Sequence, residues 1–164
     1  GSLFRNLTLG VMEGTRDGDK ARIRTICERL GMDDQLLSLV ESEDDEHAPY
    51  WTEVLSQTQA HIVCLARAFI ANPEVLCVHK PTQPFDASQS VRVMKYLKEF
   101  IEHRGVQLGT KSMSLRRPCT VVYTSSEHLN NEYADVLFSV SRKDGVRQVH
   151  HVKTPVHLPP GVLG

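Results

Sequence analysis

The chain has 164 residues, a length that suits one domain with a substantial core. Its hydrophobic fraction of 40%, charged fraction of 24% and net charge of -1 are ordinary for a globular protein, so no electrostatic field favours nucleic acid or an anionic membrane as partner. The four cysteines form no Cys-x-x-Cys pair, which argues against a zinc ribbon or a redox motif. Cys64 and Cys77 lie in apolar stretches and are predicted to be buried, reduced thiols, as in a reducing cytosol.

The first half of the chain is predicted to be mainly helical. Apolar residues recur at helical spacing from Lys20 to Leu30. Residues 33–40 predict a shorter helix, and the acidic stretch 41–49 predicts a solvated loop. This stretch lacks the ligand spacing of an EF-hand loop, which argues against a calcium site. A further helix is predicted over residues 53–71, where Asn72-Pro73 ends it.

The second half alternates strands with helices. Residues 75–78 form a continuous apolar run, which predicts a strand buried on both faces of a parallel sheet. Residues 86–103 predict a long amphipathic helix, residues 105–118 a mobile basic loop, and residues 120–124 another apolar strand. The apolar stripe of the long helix is predicted to consist of Val91, Met94, Leu97, Phe100 and Ile101.

The last part of the chain is predicted to hold a short helix and a hairpin. Residues 129–134 predict the helix, while residues 136–140 and 146–152 predict two strands around the turn Lys143-Asp144-Gly145. Residues 153–164, rich in proline and glycine, predict a flexible tail. Helices followed by alternating strands and helices indicate an α/β fold with a helical region in front of the sheet.

Residues 55–86, LSQTQAHIVCLARAFIANPEVLCVHKPTQPFD, carry a resemblance to a known family. The stretch resembles the signature-helix, Walker B and D-loop block of ABC transporter nucleotide-binding domains, and no gap is needed to match it. The family pattern is Leu-Ser-Gly-Gly-Gln, a helix ending Leu-Ala-Arg-Ala, then Asn-Pro, four apolar residues, Asp-Glu-Pro-Thr and Leu-Asp. The residues kept here are Leu55, Ser56, Gln59, Leu65-Ala66-Arg67-Ala68, Asn72-Pro73, Pro81-Thr82 and Asp86.

The flanking segments extend the resemblance to about residues 3–150. Leu3–Leu7 is similar to the segment after the Q-loop in exporter-type domains. Residues 133–137, followed by Asp144-Gly145, are similar to the last core strand and turn of the family. Gly1-Ser2 is interpreted as an expression scar, and the chain as a piece of a longer protein.

The resemblance implies part of a P-loop NTPase fold of the ABC type. Residues 3–152 would form a partial nucleotide-binding domain, with a helical subdomain and signature helix over about residues 3–71. Walker B and the C-terminal strands would occupy residues 72–152, as part of a parallel sheet with flanking helices. In the family, a strand from the upstream half separates residues 120–124 from residues 136–140. The isolated chain is therefore expected to be marginally stable, to self-associate or to rearrange its last strands.

The catalytic positions of the family carry other residues in this chain. His79 takes the place of the Walker B aspartate that supports Mg²⁺, and Lys80 takes the place of the glutamate that acts as general base. Imidazole is a poor ligand for a hard cation, and a protonated lysine cannot accept a proton. Ser126 falls at the position of the switch histidine, with His128 two residues later. No Gly-x-x-x-x-Gly-Lys-Ser/Thr loop occurs in the sequence, and no metal site is predicted.

The signature and D-loop segments complete the predicted site. Gln57 and Thr58 replace two signature glycines, and their side chains are expected to crowd the approach of phosphate to the helix N-terminus. The signature segment is Leu55, Ser56, Gln57, Thr58 and Gln59, and the D-loop segment is Gln83, Pro84, Phe85 and Asp86.

These changes imply a degenerate domain that is catalytically inactive and acts as a structural or regulatory partner in ATP-driven membrane transport. Its implied partners are a second nucleotide-binding domain and the transmembrane segments of the parent protein, at the cytoplasmic face of a membrane. The fragment itself is expected to be soluble and to hold no cofactor, whereas the intact family uses ATP and Mg²⁺. An ATPase that uses non-standard residues and a non-transport scaffold for protein contacts stay open as alternatives.

Other reactive or charged residues favour ordinary interpretations. His150-His151 is interpreted as a solvated or partly buried pair rather than a zinc site. Arg116 and Arg117 are interpreted as part of an exposed basic loop, with contact to a partner or an anionic lipid as the alternative. Ser125-Ser126 with His128 lacks the Gly-x-Ser-x-Gly elbow of a nucleophile.

Overall fold

The computed structural model describes residues 1–41, 51–53, 55–109, 111–126 and 128–149. The chain divides into two compact units, residues 1–124 and residues 125–164. Helices and strands together give a mixed α/β composition with a small parallel sheet. Most of the predicted acidic loop, His150-His151 and the predicted tail lie outside the described residues. Within the described ranges, no helix is both long enough and apolar enough to cross a membrane.

Helices make up most of the first unit, and their ends follow from local capping. Asp19 accepts a hydrogen bond from the backbone N–H of Arg22 at 2.8 Å and so caps the second helix, which ends at Gly31 with a left-handed φ of 87°. The predicted start at Glu53 is wrong, because Ser56 caps the fourth helix three residues later. The helices are α1 (Leu3–Leu7), α2 (Lys20–Leu30), α3 (Asp34–Glu41), α4 (Gln57–Ala71) and α5 (Ala87–Glu102).

The core of the first unit lies where α2, α4 and α5 meet. The ring of Phe69 on α4 is fully buried and lies 4.9 Å from the ring of Tyr96 and 5.6 Å from that of Phe100, both on α5. At the surface, Arg29 on α2 donates two hydrogen bonds to the carboxylate of Glu99, at 2.9 and 2.6 Å. The predicted stripe of α5 is partly wrong: Met94, Leu97 and Phe100 are buried, but Val91 and Ile101 are half-buried while Val93 and Tyr96 take the inner positions.

The first unit also holds a parallel pair of strands, β1 (Val75–His79) and β2 (Thr120–Thr124). Both strands were predicted, but the prediction that β1 is buried on both faces is wrong. Leu76 is buried on one face, whereas Val75 is 62% exposed and Val122 is 55% exposed on the other, because the described residues of this unit cover one face only. Cys77 lies on the open face and Cys64 on the outer side of α4, so the predicted burial of both thiols is wrong.

The segment 105–118, predicted to be a mobile loop, contacts the rest of the first unit at several points, and its mobility stays a prediction. Val106 is fully buried, and Gly105 has a φ of 117° with the position of a Cβ only 2.5 Å from the Asn72 side chain. Arg116 donates hydrogen bonds to backbone carbonyls of this segment and to the carbonyl of His103 at 2.9 Å. Two basic side chains of the segment are therefore engaged within the chain, since Arg117 also forms an ion pair with Glu74 at 2.5 Å.

The second unit holds the helix α6 (His128–Asn131) and an antiparallel hairpin of β3 (Leu137–Ser141) and β4 (Gly145–Val149). The predicted hairpin is confirmed, while α6 ends earlier than predicted. Gly145 has a φ of 67°, and the hydroxyl of Ser141 accepts a hydrogen bond from the N–H of Asp144 at 2.9 Å, which closes the turn. One face of the hairpin exposes the apolar side chains Phe138, Val140 and Val146.

Candidate functional site

The carboxyl ends of β1 and β2 bring two of the predicted positions to one edge of the parallel sheet. His79 ends β1 directly opposite Thr124, which ends β2. The Thr124 hydroxyl and Nδ1 of His79 form a hydrogen bond of 2.8 Å. In open α/β sheets, ligands bind at the carboxyl ends of the strands, so this edge is the first candidate for a binding site.

Lys80 continues the chain from this edge in an unusual backbone conformation. Its φ is 46°, in the left-handed region that side chains other than glycine rarely adopt. Its N–H donates to the carbonyl of Thr124 at 3.2 Å and to the hydroxyl of Thr124 at 3.1 Å. His79 at the end of β1 and Lys80 directly after it are therefore both bonded to the end of the neighbouring strand, His79 through its ring and Lys80 through its backbone N–H. Across the described part of the chain, no group of three His, Cys, Asp or Glu side chains is placed to hold a metal ion.

The signature segment lies at the beginning of α4. Ser56 accepts a hydrogen bond from the N–H of Gln59 at 3.1 Å, as an N-cap, and the Gln59 side chain donates to the carbonyl of Gly31 at 3.5 Å. Gln57 is exposed, whereas the hydroxyl of Thr58 donates to the carbonyl of Pro84 at 3.3 Å. Thr58 thus contacts the D-loop segment instead of standing free at the helix N-terminus.

The D-loop segment follows Lys80 as two successive turns. The N–H of Gln83 donates to the carbonyl of Lys80 at 3.2 Å, and the N–H of Phe85 donates to the carbonyl of Thr82 at 3.0 Å. Asp86 caps α5 by accepting from the N–H of Gln89 at 2.8 Å. The structure therefore brings the D-loop and signature segments together, and it gives Asp86 a structural role at the start of a helix.

His61 on α4 is a part of this arrangement that the sequence did not predict. Its ring meets the ring of Phe85 edge-on, with centroids 5.5 Å apart. Burial lowers the pKa of His61, and a hydrogen bond with the backbone of Pro81 opposes part of that shift. The available signal was spacing, because His61 follows Thr58 by three residues and shares its face of the helix.

Ser126, the remaining predicted position, lies in the second unit. It is exposed, and the neighbouring Ser125 hydroxyl accepts a hydrogen bond from the Asn130 side chain at 2.9 Å. The side chain of His128 is outside the described part of the structure. Among the described residues of the second unit, no hydrogen bond joins the Ser126 hydroxyl to an acidic or basic side chain.

A cleft of about 980 Å³ lies in the first unit away from all these positions. Its wall combines apolar side chains, such as Val11 and Met12, with the cationic side chains Arg5 and Arg16. None of the predicted signature, D-loop or catalytic residues lines it. Arg22, which forms its floor, already donates hydrogen bonds to four backbone carbonyls of the chain.

No family model and no curated protein matches the chain.

Proposed function

We propose that this chain is part of a degenerate ABC-type nucleotide-binding domain, with a partial P-loop NTPase fold, that serves as a structural or regulatory partner in ATP-driven membrane transport. In this role it pairs with a second, competent nucleotide-binding domain and transmits nucleotide-driven closure to membrane segments of its parent protein. The chain itself contributes no catalytic step.

The carboxyl edge of the parallel sheet carries this proposal. An ATPase of this kind needs an acid that supports Mg²⁺ and a carboxylate that accepts a proton from water. The chain has His79 and Lys80 at the matching positions, and the His79 ring and the Lys80 backbone N–H are both bonded to Thr124. A cationic ammonium repels Mg²⁺, and an imidazole is a poor ligand for this hard cation.

The signature segment at the beginning of α4 also supports a loss of catalysis. Thr58 places a side chain on the first turn of α4 where the family has a glycine. Its hydroxyl donates to the carbonyl of Pro84. Phosphate approaches a helix N-terminus closely only where the backbone is bare. The α/β composition with its small parallel sheet, together with the changed polar positions, favours a partner over a catalyst.

Steady-state hydrolysis of Mg-ATP by the chain tests the loss of catalysis. We expect no turnover above buffer, for the chain and for Lys80→Ala alike. Turnover that disappears in Lys80→Ala would favour the alternative of an ATPase that uses non-standard residues. Lys95→Ala on the exposed side of α5 is the matched control for the loss of one positive charge.

Sedimentation velocity with an exporter-type nucleotide-binding domain that has intact Walker motifs tests the partner role. We expect association that is strengthened by a non-hydrolysable ATP analogue and Mg²⁺ bound to the P-loop of the competent domain. Association of equal strength without nucleotide would instead favour the scaffold alternative. Absence of association under both conditions, over micromolar concentrations of each protein, would contradict the partner role.

A further inference from the structure

Two side chains on one face of α4 reach across to the segment 80–86. The hydroxyl of Thr58 donates to the carbonyl of Pro84 at 3.3 Å. One helical turn later, the His61 ring packs edge-on against the ring of Phe85, with centroids 5.5 Å apart. The two residues thus contact the later half of a short segment that has no regular secondary structure of its own.

The same segment is fixed at its start to the sheet. The N–H of Lys80 donates to both the carbonyl and the hydroxyl of Thr124, at the end of β2. Thr82 is 2% exposed, so the base of the segment is buried, while Gln83 and Asp86 are exposed. A continuous set of contacts therefore runs from the first turns of α4, through segment 80–86, to the carboxyl edge of β1 and β2.

We propose that Thr58 and His61 form a latch that makes the first turns of α4 and segment 80–86 move as one body. A partner that displaces the beginning of α4 then also displaces the segment and, through Lys80, the edge of the sheet. Neither glycine nor valine at position 58 makes this connection, because both lack the hydroxyl. The latch depends only on contacts within the chain, so it stands or falls independently of the proposed function.

Amide hydrogen exchange measured by NMR on the whole chain tests the latch. The reporters are the N–H groups of Gln83 and Phe85, which are bonded within the segment. Thr58→Val keeps the shape of the side chain and removes the hydroxyl, and we expect it to accelerate exchange of both reporters roughly fivefold, the factor that one hydrogen bond supplies. Thr58→Ser keeps the hydroxyl and is expected to exchange like the unmodified chain.

Thr25→Val is the matched control. It removes a hydroxyl that bonds to the carbonyl of Ala21 at 2.9 Å on the exposed side of α2, and it is expected to leave both reporters unchanged. The urea midpoint of Thr58→Val should stay close to that of Thr25→Val, which separates local release from general loss of stability. Unchanged exchange in Thr58→Val, or equal acceleration in Thr25→Val, would overturn the latch.

A second variant keeps the test decisive if Thr58→Val is too unstable to measure. Phe85→Leu removes the ring that His61 contacts and is expected to accelerate the Gln83 amide in the same way. In the double variant Thr58→Val/Phe85→Leu, the acceleration of Gln83 exchange should be less than the product of the two single effects. Loss of either contact should already release the segment from α4, so the second loss adds little. Strict additivity would mean that the two contacts act separately and would contradict movement as one body.

Discussion

Arg22 on α2 joins three parts of the first unit. Its side chain donates to the carbonyls of Val106 at 3.0 Å, Phe69 at 3.0 Å, Ile70 at 3.2 Å and Asp17 at 2.8 Å. The carbonyls of the last turn of α4 have no partner within their helix, and a cation at a helix C-terminus is favourable. Burial lowers the pKa of Arg22, and the nearby carboxylate of Asp17 opposes that shift.

Arg22→Met should strongly destabilise the first unit. The substitution fills part of the space but leaves the buried carbonyls of Val106, Phe69 and Ile70 without a donor. Each unsatisfied group of this kind costs about 1–3 kcal/mol, and since such costs are not additive we expect a total of about 3–5 kcal/mol. A loss of that size is a large part of the roughly 5–15 kcal/mol that stabilises a typical domain.

Urea unfolding followed by circular dichroism measures this loss. We expect a lower midpoint with an unchanged slope for Arg22→Met, because the surface exposed on unfolding stays the same. Arg24→Met is the control, since Arg24 forms an exposed pair with Glu28 at 2.7 Å, and such pairs contribute about 0–1 kcal/mol. If both variants lost the same small amount, the reasoning from buried carbonyls would be refuted.

Four further predictions follow from other parts of the structure. Val106→Ala should cost about 2 kcal/mol in urea unfolding, because it removes two buried methyl groups and leaves a cavity, whereas a mobile loop would show no change. Burial holds the pKa of His61 below its ordinary value of 6.5, so its contribution to stability is present above pH 6.5 and is lost as the pH falls through the lowered pKa. The melting temperature of His61→Phe should therefore fall less than that of the unmodified chain between pH 7 and pH 5. Ellman's reagent should modify exposed Cys64 rapidly in the folded chain and Cys27 only after unfolding, because burial raises the pKa of Cys27 to about 12. Light scattering should rise with concentration for the unmodified chain and much less for Val122→Lys, since a lysine on the open sheet face discourages pairing; a monomer at all concentrations would contradict this.

Helix positions could be predicted from the sequence because each helix buries one stripe of apolar side chains. The bounds of α2 agree with its apolar spacing, and α5 differs from its prediction only by its two capping residues. The inner face of α2 was less predictable. Ala21 is exposed and Arg22 is buried, because three of the four carbonyls that receive Arg22 come from residues 47 or more positions away in the chain. Periodicity treats arginine as a surface residue and contains no information about such acceptors.

The burial and hydrogen bonding of the strands likewise depend on residues that are distant in sequence. An apolar run predicts that β1 is a strand, but the cover on each face depends on elements elsewhere, and Val75 remains 62% exposed. The residue types at positions 79 and 80 were read directly from the ungapped match. Their hydrogen bonds to Thr124 were not, since the partner lies 45 and 44 residues away. The contact between Thr58 and Pro84 was missed for the same reason.

Several polar groups at the candidate site are engaged with one another, and this bears on any attempt to introduce the acids that the proposed function takes to be changed. Replacing His79 by aspartate and Lys80 by glutamate would place two carboxylates side by side, and like charges at that distance oppose each other without a cation. It would also remove the imidazole that meets the Thr124 hydroxyl at 2.8 Å. The N–H of residue 80 would still be directed to Thr124, because that bond belongs to the backbone. Such a double variant should therefore loosen the edge of the sheet without gaining turnover, since the sequence offers no phosphate-binding loop for the nucleotide. Under the proposed function, His79 and Lys80 are then one part of a wider change, in which the edge serves as a point of internal attachment between α4, segment 80–86 and the sheet.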